Sequence, residues 1–257
     1  MSIIKSFFIA FSIYSKIPVP QFEWKEEDMR YMMCFFPWIG GVIGLLLYGW
    51  CVLCQKWEIG MVCQVLMCGI IPLAVSGGFH VDGFMDTMDA FHSYQEKERK
   101  LEILKDSHIG AFAVIMLALY GMIYLAAYSE IQNMVVLRIV CAGFFLSRTL
   151  SGIAVLVFPK AKKDGLLHTF DEVSRTRLVR NILLLQCIVC VVFMLAQSVV
   201  AGGLVAGMTF AVFGYYYQKT KKELGGITGD TAGYFVTVCE GVMAVMGALI
   251  CILAVGV

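Results

Sequence analysis

The sequence predicts an all-α fold, a polytopic membrane bundle of about seven transmembrane helices. Of the 257 residues, 60% are hydrophobic and only 15% are charged, a balance outside the range of water-soluble domains. Mean hydropathy is +0.80. Apolar runs close to the roughly 20 residues needed to cross a bilayer recur along the chain, separated by polar connections. With 20 Lys and Arg against 19 Asp and Glu the formal charge is +1, so bulk charge points to no nucleic-acid partner.

The elements follow in chain order. The opening "MSIIKSFFIAFSIYSKIPVP" has a short apolar core and no small-residue cleavage site, and reads as an interfacial or re-entrant piece, not a cleaved signal. Spans are expected over Tyr31 to Cys54, Gly60 to Gly77, Gly110 to Tyr128, Met134 to Phe158, Asn181 to Val199, Gly202 to Tyr217 and Gly233 to Val257. Every second connection is basic. Tyr94 to His108 holds Lys97, Arg99, Lys100 and Lys105; Pro159 to Arg180 holds Lys160, Lys162, Lys163, Arg175, Arg177 and Arg180; Gln218 to Thr231 holds Lys219, Lys221 and Lys222. The turns between are poor in Lys and Arg, so the positive-inside rule puts the N-terminus and the basic loops in the cytoplasm and, with seven spans, the C-terminus outside. No internal repeat or Pro/Ser-rich linker divides the chain, and residues 1–257 read as one membrane domain.

Ten cysteines include the C-x-x-C pairs Cys51/Cys54 and Cys187/Cys190. Both lie in apolar runs without a nearby His or acid, which favours small hydrophobes over metal or redox sites.

Chemistry concentrates in three polar islands and one intramembrane charge. In "SGGFHVDGFMDTMDAFHSY", Asp82, Asp86 and Asp89 are spaced four and three apart and fall within a sector of roughly 60° on a helix. Three carboxylates facing one place repel, and near a membrane they are poorly solvated, so a cation should compensate. Oxygen ligands without thiolate suit Mg²⁺ or Mn²⁺, and Mg²⁺ held this way completes its shell with water and substrate phosphate. His80 and His92 are open between ligand, hydrogen-bond partner and ordinary interfacial side chain.

The second island, "LKDSHIGAFAV", places Lys105, Asp106, Ser107 and His108 ahead of a span. Asp106 or Ser107 is either an N-cap or part of an anion site at the helix start. In the third, "KKELGGITGDTAGYFVTVCEG", Gly225, Gly226 and Gly229 surround Thr228 and Asp230, allowing backbone to approach a ligand closely. Glu240 lies about two turns inside the helix that follows. Arg148, midway through "VCAGFFLSRTLSGIAVLVF", needs either a carboxylate on a neighbouring helix or a substrate phosphate. Together these features suit metal-dependent attack on a phosphoanhydride at the cytoplasmic face.

The motifs "GGFHVDGFMDTMDAF", "LEILKDSHIGAFAVI", "LSRTLSGIAVLVFPKAKKDGL" and "GGITGDTAGYFVTVCE", in this order over nearly the full length, resemble the cobalamin synthase (adenosylcobinamide-GDP ribazoletransferase) family. The resemblance implies an Mg²⁺-dependent inner-membrane enzyme that joins adenosylcobinamide-GDP to α-ribazole or its 5′-phosphate and releases GMP. It implies Asp82, Asp86 and Asp89 as the metal-binding motif. Candidates for the chemistry are Asp82, Asp86, Asp106 and Arg148. Candidates for substrate binding are His80, Lys105, Ser107, Arg148, Gly226, Thr228 and Asp230. The sequence departs from the family pattern in carrying lysines in the turn "PKAKKDG" and His108 after "KDS". Other readings are a CDP-alcohol phosphotransferase, whose D-G-x-x-A-R opening is absent, a prenyltransferase, whose second aspartate-rich motif is absent, or a transporter, which would favour midplane polar residues and repeated halves.

Overall fold

The computed structural model describes residues 2–20, 23–161 and 176–254. These form ten α-helices: α1 (Ser2–Tyr14), α2 (Met32–Lys56), α3 (Met61–Ser76), α4 (Phe79–His92), α5 (Lys97–Ile103), α6 (Ala111–Glu130), α7 (Met134–Val157), α8 (Thr176–Gln197), α9 (Val199–Leu224) and α10 (Gly229–Ile252). A 3₁₀ turn, Glu26–Met29, precedes α2. Six of the helices, α2 and α6 to α10, are long and apolar enough to cross a membrane, so the protein is a multi-pass membrane protein.

The expected second span is where the structure departs most from a simple seven-span bundle. The 16 residues of α3 reach about 24 Å at 1.5 Å each, and α3 is bent by 96° from α4. Gly77 (φ +65°) and Gly78 (φ +79°) are both left-handed and make the bend, a conformation that glycine adopts without Cβ strain. Helix α4 thus leaves the direction of α3 and packs across α10 and α6.

The boundaries of α9 and α10 also move. Helix α9 runs to Leu224, and Lys219, Lys221 and Lys222 lie in its last turns instead of in a loop. Cations there complement the negative end of the helix dipole. Helix α10 begins at Gly229, so Asp230 lies in its first turn and Glu240 three turns in. Of the expected basic loop from Pro159 to Arg180, Arg177 and Arg180 belong to α8, while Lys162, Lys163 and Arg175 lie outside the described residues.

The core is built around α7, which packs on α2, α8, α9 and α10. Gly40 and Gly44, four apart on α2, sit directly on the carbonyls of Phe144 and Cys141, where any Cβ would collide with backbone. Small residues at this spacing let membrane helices approach closely and gain dispersion contacts. Helix α1 is too short to span. It buries Ile9, Ala10, Phe11 and Tyr14 against the bundle, and is tied to the 3₁₀ turn by Lys5 Nζ to Asp28 (3.0 Å) and Ser6 Oγ to the Asp28 carbonyl (2.5 Å). Cys51, Cys54, Cys187 and Cys190 are buried and free; the sulfur nearest Cys51 is Cys68 of α3, at 3.7 Å, not its C-x-x-C partner.

Candidate active site

The polar islands meet at one end of the bundle. Gly83 of α4 lies so close to the backbone of Asp230 that a Cβ would clash with it, and this contact sets α4 against the first turn of α10. Asp82, Asp230 and Asp89 consequently all press like charge on Asp86. The sequence placed three acids on one helix face; the fold adds a fourth from another helix. Asp82 is exposed and Asp86 half-buried.

Asp89 faces a different task. Its Oδ2 accepts from the Gly110 amide at 2.7 Å and its Oδ1 from the Ala113 amide at 2.8 Å. It therefore caps α6 from outside that helix, satisfying two free N–H groups and meeting the positive dipole end. Gly110 is required there, since a Cβ would run into the Asp89 carboxylate. The anion site expected at this helix start thus holds the protein's own carboxylate, and neither Asp106 nor Ser107 is the cap. Asp89→Ala is expected to cost about 1–2 kcal/mol of stability, in the range of lost helix caps, read as a lower thermal transition in nanodiscs. Asp89→Asn, which keeps one acceptor, should lose less.

Lys105, Asp106, Ser107 and His108 are exposed on the connection between α5 and α6. Asp106 Oδ1 accepts from the His108 amide (3.0 Å) and pairs with His108 Nδ1 (2.6 Å). These bonds hold the Asp106 carboxyl below the usual carboxylate range. The side chains nearest to Asp106 in its interactions are therefore those of its own loop.

The glycine-rich island is a joint. Gly225 (φ +77°) ends α9 in the left-handed conformation. Gly226 lies against the backbone of Pro159 to Ala161, where Ile227 donates to the Pro159 carbonyl (2.8 Å) and Ala161 to the Ile227 carbonyl (3.0 Å). Thr228 is the N-cap of α10, its hydroxyl accepting from the Thr231 amide (3.2 Å). Gly226 and Thr228 thus fix the start of α10 and, with it, Asp230. Lys100 of α5 pairs with Glu223 of α9 at 2.5 Å and closes the same end.

Arg148 lies deeper. It is 1% exposed, and its NH1 donates to Glu240 Oε1 (2.5 Å) and to the Phe144 carbonyl (2.9 Å). Of the two partners the sequence left open, the structure provides the carboxylate. His80 is on the inward side of α4, about 200° from Asp82, with its ring edge-on to Phe36 and Phe79 and within the field of Arg148. His92 donates from Nδ1 to the Met88 carbonyl (2.8 Å) and stacks on Phe112, the ordinary interfacial role.

Lys16 was not among the candidate residues. It lines a cavity of about 450 Å³ with Ser12, Ser15, Gly77, Gly78 and Asp82. Its position depends on the chain reversal after α1, where the Lys16 amide donates to the Val75 carbonyl (2.8 Å); a lone lysine in sequence gives no such signal. Among the described residues no three His, Cys, Asp or Glu side chains stand close enough to hold a metal ion as placed. The donor set is nonetheless hard oxygen, and the mutual repulsion at Asp86 is what a bound dication would relieve.

A family model described as cobalamin-5-phosphate synthase matches residues 6–249. The chain is 41% identical to an adenosylcobinamide-GDP ribazoletransferase of Lachnoclostridium phytofermentans, covering 100% of this chain and 97% of the relative. It is 32% identical to a protein of the same name from Clostridium perfringens (strain SM101 / Type A), over 92% of this chain and 94% of the relative, and 29% identical to one from Geobacillus sp. (strain WCH70), over 92% and 91%. No solved structure matches. A match spanning all the helices and every polar island described above makes the chain a member of the cobalamin-5-phosphate synthase family.

Proposed function

We propose that the protein is an adenosylcobinamide-GDP ribazoletransferase. It joins adenosylcobinamide-GDP to α-ribazole, or its 5′-phosphate, giving adenosylcobalamin or its 5′-phosphate and GMP. The observation that carries this reading is the gathering of Asp82, Asp86 and Asp230 beside a polar cavity at one end of the bundle, in a chain related over its full length to transferases of that name. The cytoplasmic side of the inner membrane is supported by the basic residues at that end, including Lys97, Lys100, Lys219 and Lys221.

Asp82 and Asp86 would hold Mg²⁺, with Asp230 close by. Asp89, already bonded to α6, keeps lone pairs for a ligand contact and fixes the register of α4. Bound Mg²⁺ supplies charge neutralisation at the diphosphate and at the departing phosphate. The ribazole 3′-hydroxyl oxygen forms a bond to the phosphorus bearing the cobinamide; the bond from that phosphorus to the bridging oxygen breaks, and GMP leaves with the electron pair. A loose transition state of this kind needs little help from a base, so the protein's own work is positioning. Gly77 and Gly78 turn α4 to the membrane face, Gly83 brings Asp230 to it, and Lys16 offers a cation opposite Asp82. GMP and cobamide should both appear when nanodisc-embedded protein is given adenosylcobinamide-GDP, α-ribazole phosphate and Mg²⁺, and not when EDTA replaces the metal. Folded protein that forms neither product with Mg²⁺ would refute the assignment.

A further inference from the structure

A second cavity, about 320 Å³, lies inside the bundle between α3, α4, α6, α7 and α10. It adjoins the outer, Asp82-lined cavity, and the two share Leu73, Ser76 and Val81. The walls of the inner cavity are apolar and aromatic, with Ile70, Leu73, Leu117 and Tyr120 among them, while His80, Arg148, Thr237 and Glu240 make a polar floor. His80, Arg148 and Thr237 are 5%, 1% and 2% exposed. Nε2 of His80, Nε of Arg148 and Oγ1 of Thr237 all lack a hydrogen-bond partner.

Buried polar atoms left unpaired cost free energy, of order 1–3 kcal/mol each, and three on one cavity wall point to a ligand that satisfies them. A lipid acyl chain would satisfy none of them. A phosphate would carry charge into apolar walls at high desolvation cost. A flat heteroaromatic ring fits both parts, with apolar faces for the walls and a ring nitrogen that accepts from the floor. The volume also agrees, because a cavity of about 150 Å³ takes a benzene, and 320 Å³ leaves room for a bicyclic base.

We infer that the inner cavity receives the heteroaromatic base of the ribazole acceptor, with its ring nitrogen toward Arg148 and Thr237 and its ribose directed past Leu73, Ser76 and Val81 to the Asp82 face. This rests on the transferase reading and adds to it where the acceptor sits. The neck between the cavities then orders the substrates. The base is sequestered within the bundle, the sugar hydroxyl reaches the outer cavity, and the corrinoid nucleotide stays at the membrane face beside the carboxylates.

Gly121 offers a clean test, since it lines the inner cavity and an added Cβ there meets nothing within 4 Å. Gly121→Leu should fill the cavity without displacing backbone. Gly207→Leu, at an exposed and equally open position of α9, controls for adding a leucine to a membrane helix. In nanodiscs, Gly121→Leu should raise KM for α-ribazole at least tenfold and leave KM for adenosylcobinamide-GDP unchanged; Gly207→Leu should change neither. Thr237→Val, which removes one floor hydroxyl at constant shape, should raise the ribazole KM about 3- to 10-fold, the range of one hydrogen bond. Equilibrium dialysis with labelled benzimidazole reads the cavity independently of turnover. Binding by the wild type that Gly121→Leu abolishes supports the proposal. A ribazole KM and a benzimidazole affinity unchanged in Gly121→Leu would overturn it while leaving the transferase assignment intact. A wild type that makes no GMP sinks the assignment instead, and dialysis alone then decides the cavity: Gly121-dependent binding supports it and no binding overturns it.

Discussion

Arg148→Leu is expected to destabilise the protein by about 3–5 kcal/mol, the cost of leaving one member of a buried ion pair without its partner. Glu240 is 8% exposed, and besides Arg148 only Ser147, at 3.5 Å, reaches its carboxylate. In an apolar bundle such a carboxylate must be stranded or take up a proton. Glu240→Leu should be of similar severity, because the guanidinium then keeps only the Phe144 carbonyl. The double variant Arg148→Met/Glu240→Leu removes both charges and should recover most of the loss, since replacing a whole buried pair by apolar side chains is often neutral or stabilising. Thermal unfolding of the three variants in nanodiscs, or denaturation in mixed micelles, reads the difference. Equal losses in the single and double variants would show that the pair's role is packing, not mutual compensation.

Asp86→Asn carries the second large effect, and its signature is a split between two measurements. The amide has nearly the shape of the carboxylate but removes the charge on which Asp82, Asp230 and Asp89 converge. Relief of that repulsion should leave stability unchanged or slightly raised. The rate of GMP release should nevertheless fall about 10²- to 10³-fold, the usual consequence of deleting one electrostatic contact to a developing charge. A functional site often carries destabilising charge of this kind because activity needs it. A loss of both stability and activity would instead assign Asp86 to the fold.

The sequence made some of this legible and hid the rest, for physical reasons that differ by residue. Apolar run length identified the spanning helices, because bilayer thickness imposes it. The ends of α9 were not legible, since Lys219, Lys221 and Lys222 look like a loop until they are seen as the last turns of a helix that extends beyond the apolar zone. The 96° bend after α3 was marked by Gly77 and Gly78, yet adjacent glycines also suit a flexible connection. Arg148 and Glu240 were each recognisable as needing compensation; that they compensate each other depends on α7 packing against α10 across 92 residues of sequence.

The acidic island shows the same limit within one helix. Spacing put Asp82, Asp86 and Asp89 on a common face, and α4 confirms that the three run along one helix. Spacing could not reveal that Asp89 caps α6, because the Gly110 and Ala113 amides reach it only through the packing of α4 on α6. Nor could it bring Asp230 to Asp86, which requires Gly83 to admit the α10 backbone. Gly226 and Thr228, candidates for substrate contact on composition, are occupied in holding that turn in place.

The claim that the α4 acidic face is a metal-dependent transfer site is tested most directly by titrating Mg²⁺ against the rate of GMP release for the wild type and Asp82→Asn at matched folded protein. The expected result is a wild-type rate that rises from zero with Mg²⁺, and a variant that needs at least tenfold more metal for half-activation and turns over more slowly at saturation. Identical Mg²⁺ dependence in the two proteins would contradict the account and return Asp82 to an ordinary solvated position at the start of α4.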